Sequence, residues 1–291
     1  MRQALEKNYF VGVLDGYLDT EEGKNSLADH TAGRYQIAAD QVMPWLHRKF
    51  DLSERTVIEI GSGTGSSTLA LAQVARSVEC YELNQYATAV ARERLDFWGI
   101  TNVHFHSTLF DEKCELVQSG GTATAIMLYA ALEHMTHEEC LAILALSWRI
   151  LRRGGILVIA ETPNRFSFVD EHTSLLPFFS QLPREIQVRY AARSPRDDFR
   201  WAIAEAGREG HEKALEAMTR WGSGISYHEF ELGIGQDVHQ FVVLDGYEPE
   251  ITNIVPVSEI DTILQTVFKQ FGVQAHRAFT RRSLYLVLQK P

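Results

Sequence analysis

The chain has 291 residues, 45% of them hydrophobic and 23% charged, with a formal net charge of -10. That size and apolar share suit one large domain, or a domain carrying a substantial insertion. The acidic balance argues against a nucleic-acid partner, which usually needs a basic face. Cys80, Cys114 and Cys140 are widely spaced and form no CxxC pair, so neither a disulfide framework nor a zinc site is suggested and no metal site is read. No apolar run approaches the ~18 residues of a membrane span, and "MRQALEKNYF" lacks the apolar core of a signal peptide. A cytoplasmic protein without a membrane partner is expected.

Residues 1–53 read as a polar, helical N-terminal cap, with Ile37, Val42, Trp45 and Leu46 at helical spacing. Five short apolar runs follow: "TVIEI", "SVECYEL", "VHFHS", "ATAIMLY" and "GILVIAE". Helical segments lie between most of them, which predicts βαβ units and a parallel sheet covered on both faces. The helix after the fourth strand opens on a capping box, Thr136 with Glu139. Leu141, Leu144, Trp148 and Leu151 stripe it, Arg152 and Arg153 are expected in its last turn, and Gly154 is expected to end it.

After the fifth strand the alternation stops, and residues 162–256 read as a largely helical insertion, too long for an ordinary αβ connection. "SEIDTILQTVFKQFG" is a helix with Ser258 as cap and Gly272 as stop. "VQAHRAF" and "SLYLVLQ", joined by "TRR", are expected to form an antiparallel hairpin. The expected organisation is thus a cap over 1–53, a core over 54–161 and 257–291, and a substrate-binding lid over 162–256.

"VIEIGSGTGSST" (57–68) carries the strongest chemical signal. A strand that stops in glycines and passes into a helix lets backbone approach a ligand closely, and the helix start offers free N–H groups. Dinucleotides and adenosine-bearing methyl donors both use this arrangement. The pattern is Gly61-x-Gly63-x-Gly65, with Ser66 where a dinucleotide loop places its third glycine. Glu82 ends the second strand, 21 positions after Gly61, where a carboxylate can accept hydrogen bonds from both hydroxyls of an adenosine ribose. Glu59, inside the first strand, needs hydrogen bonds or a cation if buried, and a sulfonium ligand would supply positive charge.

"EIGSGTG", "YEL", "LYAALEHM" and "LRRGGILVIAETPNR", in this order and spacing, resemble the class I S-adenosylmethionine-dependent methyltransferases over roughly residues 30–165 and the C-terminal strands. The resemblance implies an α/β, Rossmann-like, seven-stranded sheet, mostly parallel with an antiparallel last strand, and S-adenosyl-L-methionine as cofactor, leaving as S-adenosyl-L-homocysteine. It implies Gly61, Gly63 and Gly65 as the cofactor loop and Glu82 as the ribose acid. Leu109 and Phe110 fall at the adenine, although the family often has Asp where Leu109 stands. Tyr129 and Ala130 lie beside the reactive methyl, and Arg34 and Tyr35 reach the methionine carboxylate.

Substrate chemistry is expected in the insertion, because this fold carries its chemistry in grafted sites. "ETPNRFSFVDEHTSLLPFF" and "GSGISYHEFELGIG" each gather titratable side chains. His172 or His228 is the expected general base, oriented by Asp170 or Glu229. In "LEHM", Leu132 is expected to pack, with Glu133 and His134 near a loop. The arginines from Arg184 to Arg200 read as a solvated helix face or an anion site. The expected reaction is O-methylation of a small molecule, a sugar or a natural-product scaffold. N- or C-methylation, a nucleotide-dependent oxidoreductase and a non-catalytic cofactor-binding partner protein stay open.

Overall fold

The computed structural model describes residues 1–11 and 13–291. β1 (Thr56–Ile60), β2 (Ser77–Tyr81), β3 (Val103–His106), β4 (Ala123–Tyr129) and β5 (Leu151–Pro163) run parallel in the spatial order β3-β2-β1-β4-β5. The central strands are nearly unbroken apolar runs because both faces are covered. Ile58, Ile60, Ile126 and Leu128 pack into one layer, and Val57, Ala125, Met127 and Tyr129 into the other. The strand order reverses between β1 and β4, which opens a crevice at their C-terminal ends.

β7 (Ser283–Gln289) pairs antiparallel with β5, and β6 (Val242–Leu244) closes the edge against β7. The seven-stranded mixed sheet is the expected one, but the C-terminal hairpin is not formed. "VQAHRAF" instead ends in a helical turn, Arg277–Thr280, capped by the His276 side chain. Arg277 pairs there with Asp245 at 2.5 Å. The partner strand of β7 comes from within 162–256, where "VVL" is too short to stand out as a strand.

The capping box of Thr136 and Glu139 starts the helix His137–Ile150 as expected. That helix ends earlier than its sequence suggests. Leu151 is already extended, and the Gly154 N–H donates to the Lys290 carbonyl at 2.8 Å, so the sheet takes Arg152 and Arg153 into β5.

Residues 21–47 form one continuous helix, capped by Thr20, whose side chain accepts from the Gly23 N–H. Two of its turns, Asp29–Gly33 and Ala38–Val42, are wide i→i+5 turns. Val42, Trp45 and Leu46 bury against the sheet. Residues 164–241 carry the helices Arg184–Tyr190, Asp197–Glu209, His211–Trp221 and Tyr227–Ile234. Phe179, Phe199, Ile203 and Met218 give this segment its own small core. Among the described residues no helix is long and apolar enough to cross a membrane.

Candidate functional site

The glycine turn has the backbone its sequence demands. Gly61, Gly63 and Gly65 all sit at positive φ, 77°, 52° and 78°, a region that L side chains rarely enter. Gly63 opens onto free space. Gly65 faces the helix Gln85–Phe97, and a Cβ there would stand 2.7 Å from the Ala91 Cβ. Close packing of helix against loop is thus met by Gly65, without a glycine at position 66. The buried Arg94 clamps the arrangement by donating to the Thr64 carbonyl at 3.0 Å and to the carbonyls of Thr31 and His30 in the first wide turn.

Glu82 stands at the rim of the turn. Its Oε2 accepts from the Gly63 N–H at 2.8 Å and its Oε1 from the Asn84 N–H at 2.7 Å. Each oxygen keeps a further lone pair, so the carboxylate is fixed by backbone and still able to receive two hydroxyl donors.

The turn borders a cleft of about 1210 Å³. Gly61, Gly63, Glu82, Leu109, Phe110 and Tyr129 all line it, as does Arg34. Leu109 is half-exposed, while Phe110 meets Tyr81 edge-on at 4.7 Å and Tyr81 stacks on His106 at 4.5 Å. This is a flat apolar wall with no carboxylate at position 109. The Tyr129 hydroxyl is buried without a partner, and burial holds its pKa well above the ordinary value. For Arg34, burial works against the charge, but Glu161, Tyr9, Tyr129 and Glu133 outweigh it and raise the pKa.

Three expected cofactor residues do not border the cleft: Gly65, which packs on Ala91 within the turn, Glu59 and Tyr35. Glu59 is fully buried beneath the turn and does not border the cleft. It accepts from Ser67 Oγ at 2.5 Å and Thr68 Oγ1 at 2.6 Å, and burial raises its pKa. It ties β1 to the start of the helix Ser66–Val74. Tyr35 points to Gln73 at 3.2 Å and packs near Trp98, because the helix carries it to a different side from Arg34.

The expected catalytic groups also separate. His172 lines the cleft. Asp170 is buried and accepts from the Thr173 N–H, the Ser174 N–H and Ser174 Oγ, bracketing its own loop. His228 meets Ser226 Oγ at 3.1 Å and stacks on Tyr227 at 4.0 Å. Glu229 forms a capping box with Ser226 and an ion pair with Arg165. None of these three borders the cleft.

What joins His172 is the "LEHM" stretch just after β4. Glu133 is fully buried, and its Oε1 lies 3.8 Å from His172 Nε2 and 3.9 Å from His134 Nε2. Burial raises the Glu133 carboxyl to about 8 and lowers His172 to about 3. Ala130 and Glu161, just beyond β4 and near the end of β5, both take positive φ, 48° and 57°. Such strain in non-glycine residues tends to cluster at functional sites.

The 164–241 segment closes one side of the cleft. The Ser223 N–H donates to the Glu133 carbonyl at 2.8 Å. Arg220 grips Glu139 in a fork at 2.8 and 2.9 Å. Arg196 donates to the His172 carbonyl at 2.7 Å and reaches Glu22 at 2.9 Å. Tyr9, His30 and Trp221 complete the walls. Sequence reading missed Tyr9 and His30, since nothing local marks them.

Residues 57–155 match the family profile described as a methyltransferase domain. Over 146 residues the chain is 30% identical to an uncharacterized methyltransferase of Bacillus cytotoxicus, covering 48% of this chain and 63% of that relative. The chain therefore spans less than two thirds of that relative's length. Among solved structures, magnesium protoporphyrin IX methyltransferase from Synechocystis PCC 6803 with bound SAM is similar at 21% identity and a TM-score of 0.39. That match covers 56% of this chain and 71% of the other. An amino pentose methyltransferase from Micromonospora echinaspora, also SAM-bound, is similar at 23% identity over 48% of this chain and 56% of its own, with a TM-score of 0.36.

Proposed function

We propose that this chain, whose residues 57–155 match a methyltransferase-domain profile, is a class I S-adenosylmethionine-dependent methyltransferase that moves a methyl group from that donor to a hydroxyl of a small molecule. A sugar or a natural-product scaffold is the acceptor class we favour. The observation that carries the reading is Glu82. Its two oxygens are anchored on the Gly63 and Asn84 N–H groups, and they face the cleft beside a turn that carries no side chain at 61, 63 or 65. A ribose with two adjacent hydroxyls satisfies that carboxylate. The Tyr81–Phe110 wall suits the flat base, and Arg34, a cation that also lines the cleft, suits the donor's carboxylate.

The reaction is an in-line displacement. The S–CH3 bond breaks, the O–CH3 bond forms, the thioether leaves neutral, and the hydroxyl proton leaves the acceptor. Most of the rate comes from holding oxygen and methyl at near-attack distance. Tyr129 ends β4 and Ala130 follows it, at the edge where the methyl would lie, and the group of Glu133, His134 and His172 begins three residues on. We assign activation of the acceptor hydroxyl to that group. His228, Asp170 and Glu229 serve the structure of the insertion.

Calorimetric titration with S-adenosyl-L-homocysteine, with NADH as control, tests the donor. Binding of the first alone is expected, and binding of NADH alone would overturn the assignment. Turnover on a panel of hydroxylated acceptors tests the second half. His172→Ala is expected to lower kcat at least tenfold while homocysteine-product affinity holds, and unchanged turnover would remove the group from the reaction.

A further inference from the structure

Three potential ligand atoms meet just beside the cleft. Glu133 Oε1 is buried and has no hydrogen-bond partner. The Nε2 atoms of His172 and His134 stand 3.8 and 3.9 Å from it, beyond hydrogen-bond reach. The far sides of the rings fix the protons. His134 Nδ1 faces the Arg220 carbonyl at 2.9 Å; a carbonyl only accepts, so Nδ1 carries the hydrogen. His172 Nδ1 faces Thr173 Oγ1 at 3.0 Å. When that hydroxyl gives its hydrogen to the Gly222 carbonyl at 3.2 Å, the ring nitrogen donates here too. A neutral imidazole with its proton on Nδ1 presents a bare lone pair at Nε2. Both Nε2 atoms stand within 4 Å of the unpartnered carboxyl oxygen.

We propose that Glu133, His134 and His172 together bind one divalent first-row transition cation. Their ligand atoms all lie within 4.8 Å of one another. Ligands about 2.1 Å from one ion stand ~3.0–3.4 Å apart, so modest ring rotations complete the site. Two imidazoles and one carboxylate suit zinc, iron(II), cobalt(II) or manganese(II). Nδ1–H held by a carbonyl or hydroxyl is the outer-shell pattern that orients ligating histidines.

Arg196 is paired with Glu22 and Asp198, and Arg220 with Glu139, so neither guanidinium is left to engage Glu133. A bound cation would take the place of the Glu133 proton. Both histidines line the cleft, so a bound ion would lie beside the place proposed for the acceptor. There it would make an acceptor hydroxyl more acidic, easing loss of its proton to solvent water as the oxygen attacks the methyl. This role, though not the site itself, rests on the methyltransferase reading.

The test is chelator-stripped full-length protein titrated with Zn2+ by calorimetry and with Co2+ by visible absorption. Binding of S-adenosyl-L-homocysteine is measured separately. The expected result is about one ion per chain, with the Co2+ absorption lost in His134→Ala and in His172→Ala. Thr173→Val keeps all three ligands but removes the acceptor that orients His172, and should weaken Zn2+ binding ~10–100-fold. The site is overturned if wild-type protein that binds S-adenosyl-L-homocysteine takes up no stoichiometric ion, or if a folded His134→Ala/His172→Ala variant binds it undiminished. If the alanine variants do not fold, Thr173→Val decides, and unchanged Zn2+ affinity overturns the site. Ion binding without homocysteine-product binding supports the site and strikes the donor reading instead.

Discussion

Glu82→Gln is the most informative single change at the donor site. In the native chain Oε2 takes the Gly63 N–H at 2.8 Å and Oε1 the Asn84 N–H at 2.7 Å. An amide can satisfy only one of these donors, because its NH2 group opposes the other. It also offers a bound ribose one accepting atom in place of two, without charge. Hydrogen bonds to charged groups contribute ~1.5–3 kcal/mol each. Losing one ribose bond outright and the charge on the other amounts to about 3 kcal/mol, which is roughly a hundredfold in Kd. The opposed N–H costs the free protein about 1 kcal/mol, a fall in Tm of roughly 2–4 °C. Calorimetry with S-adenosyl-L-homocysteine and a thermal scan of the free protein read the two effects separately. A Kd within about threefold of wild type would mean that no ribose sits on Glu82, and the donor reading would lose its main support.

Gly65→Ala should destabilise by ~2–5 kcal/mol, combining a left-handed backbone with overpacking against Ala91 at 2.7 Å. Gly99→Ala, at φ 66° with nothing within 4 Å, should cost only the backbone part, ~1–2 kcal/mol; equal losses in denaturant unfolding would refute the packing argument. Asp261→Ala strands the fully buried Arg281, its partner at 2.8 Å, and leaves the Arg282 N–H without its acceptor. A loss of ~3–5 kcal/mol is expected in the same assay, and a loss under about 1 kcal/mol would sink the expectation. Burial, with Arg34 and Arg94 adding to it, lowers the His30 pKa to about 3. The unfolded chain then binds the extra proton between about 3 and 6.5, so stability present above that window falls as pH drops through it. His30→Gln should flatten the decline of the urea midpoint between about pH 7 and pH 5, and an unchanged slope would assign the acid sensitivity elsewhere.

What was legible in the chain is what depends on neighbours in sequence. The Gly61–Gly65 turn, Glu82 and the capping box at Thr136 are each set by a few consecutive residues and a single element. The helix end was misplaced because Gly154 is drawn into the sheet by Lys290, a contact that no local pattern encodes. Tyr35 was grouped with Arg34 because they adjoin, yet the helix turns them to different surroundings. Glu229 turns to a helix cap and Arg165, and His228 to Ser226 and Tyr227, so a cluster of titratable residues in sequence does not by itself place them at the cleft. His134 meets His172 because the insertion docks through Ser223 and Arg220 on the stretch after β4. That contact spans more than 80 positions of chain, far beyond the reach of periodicity or capping rules.

The two wide turns in the helix 21–47 have a consequence for how this cap can change. Each holds one more residue than a regular turn, and the first frees the carbonyls of His30 and Thr31 that Arg94 grips. A deletion of one residue there would restore ordinary i→i+4 bonding and improve the helix by itself. Because the extra residue is taken up within a single turn, the faces on either side of it would keep their register. What such a deletion removes is the pair of carbonyls that Arg94 grips. The cost would fall on the tie between this cap and the helix Gln85–Phe97, not on the cap helix itself.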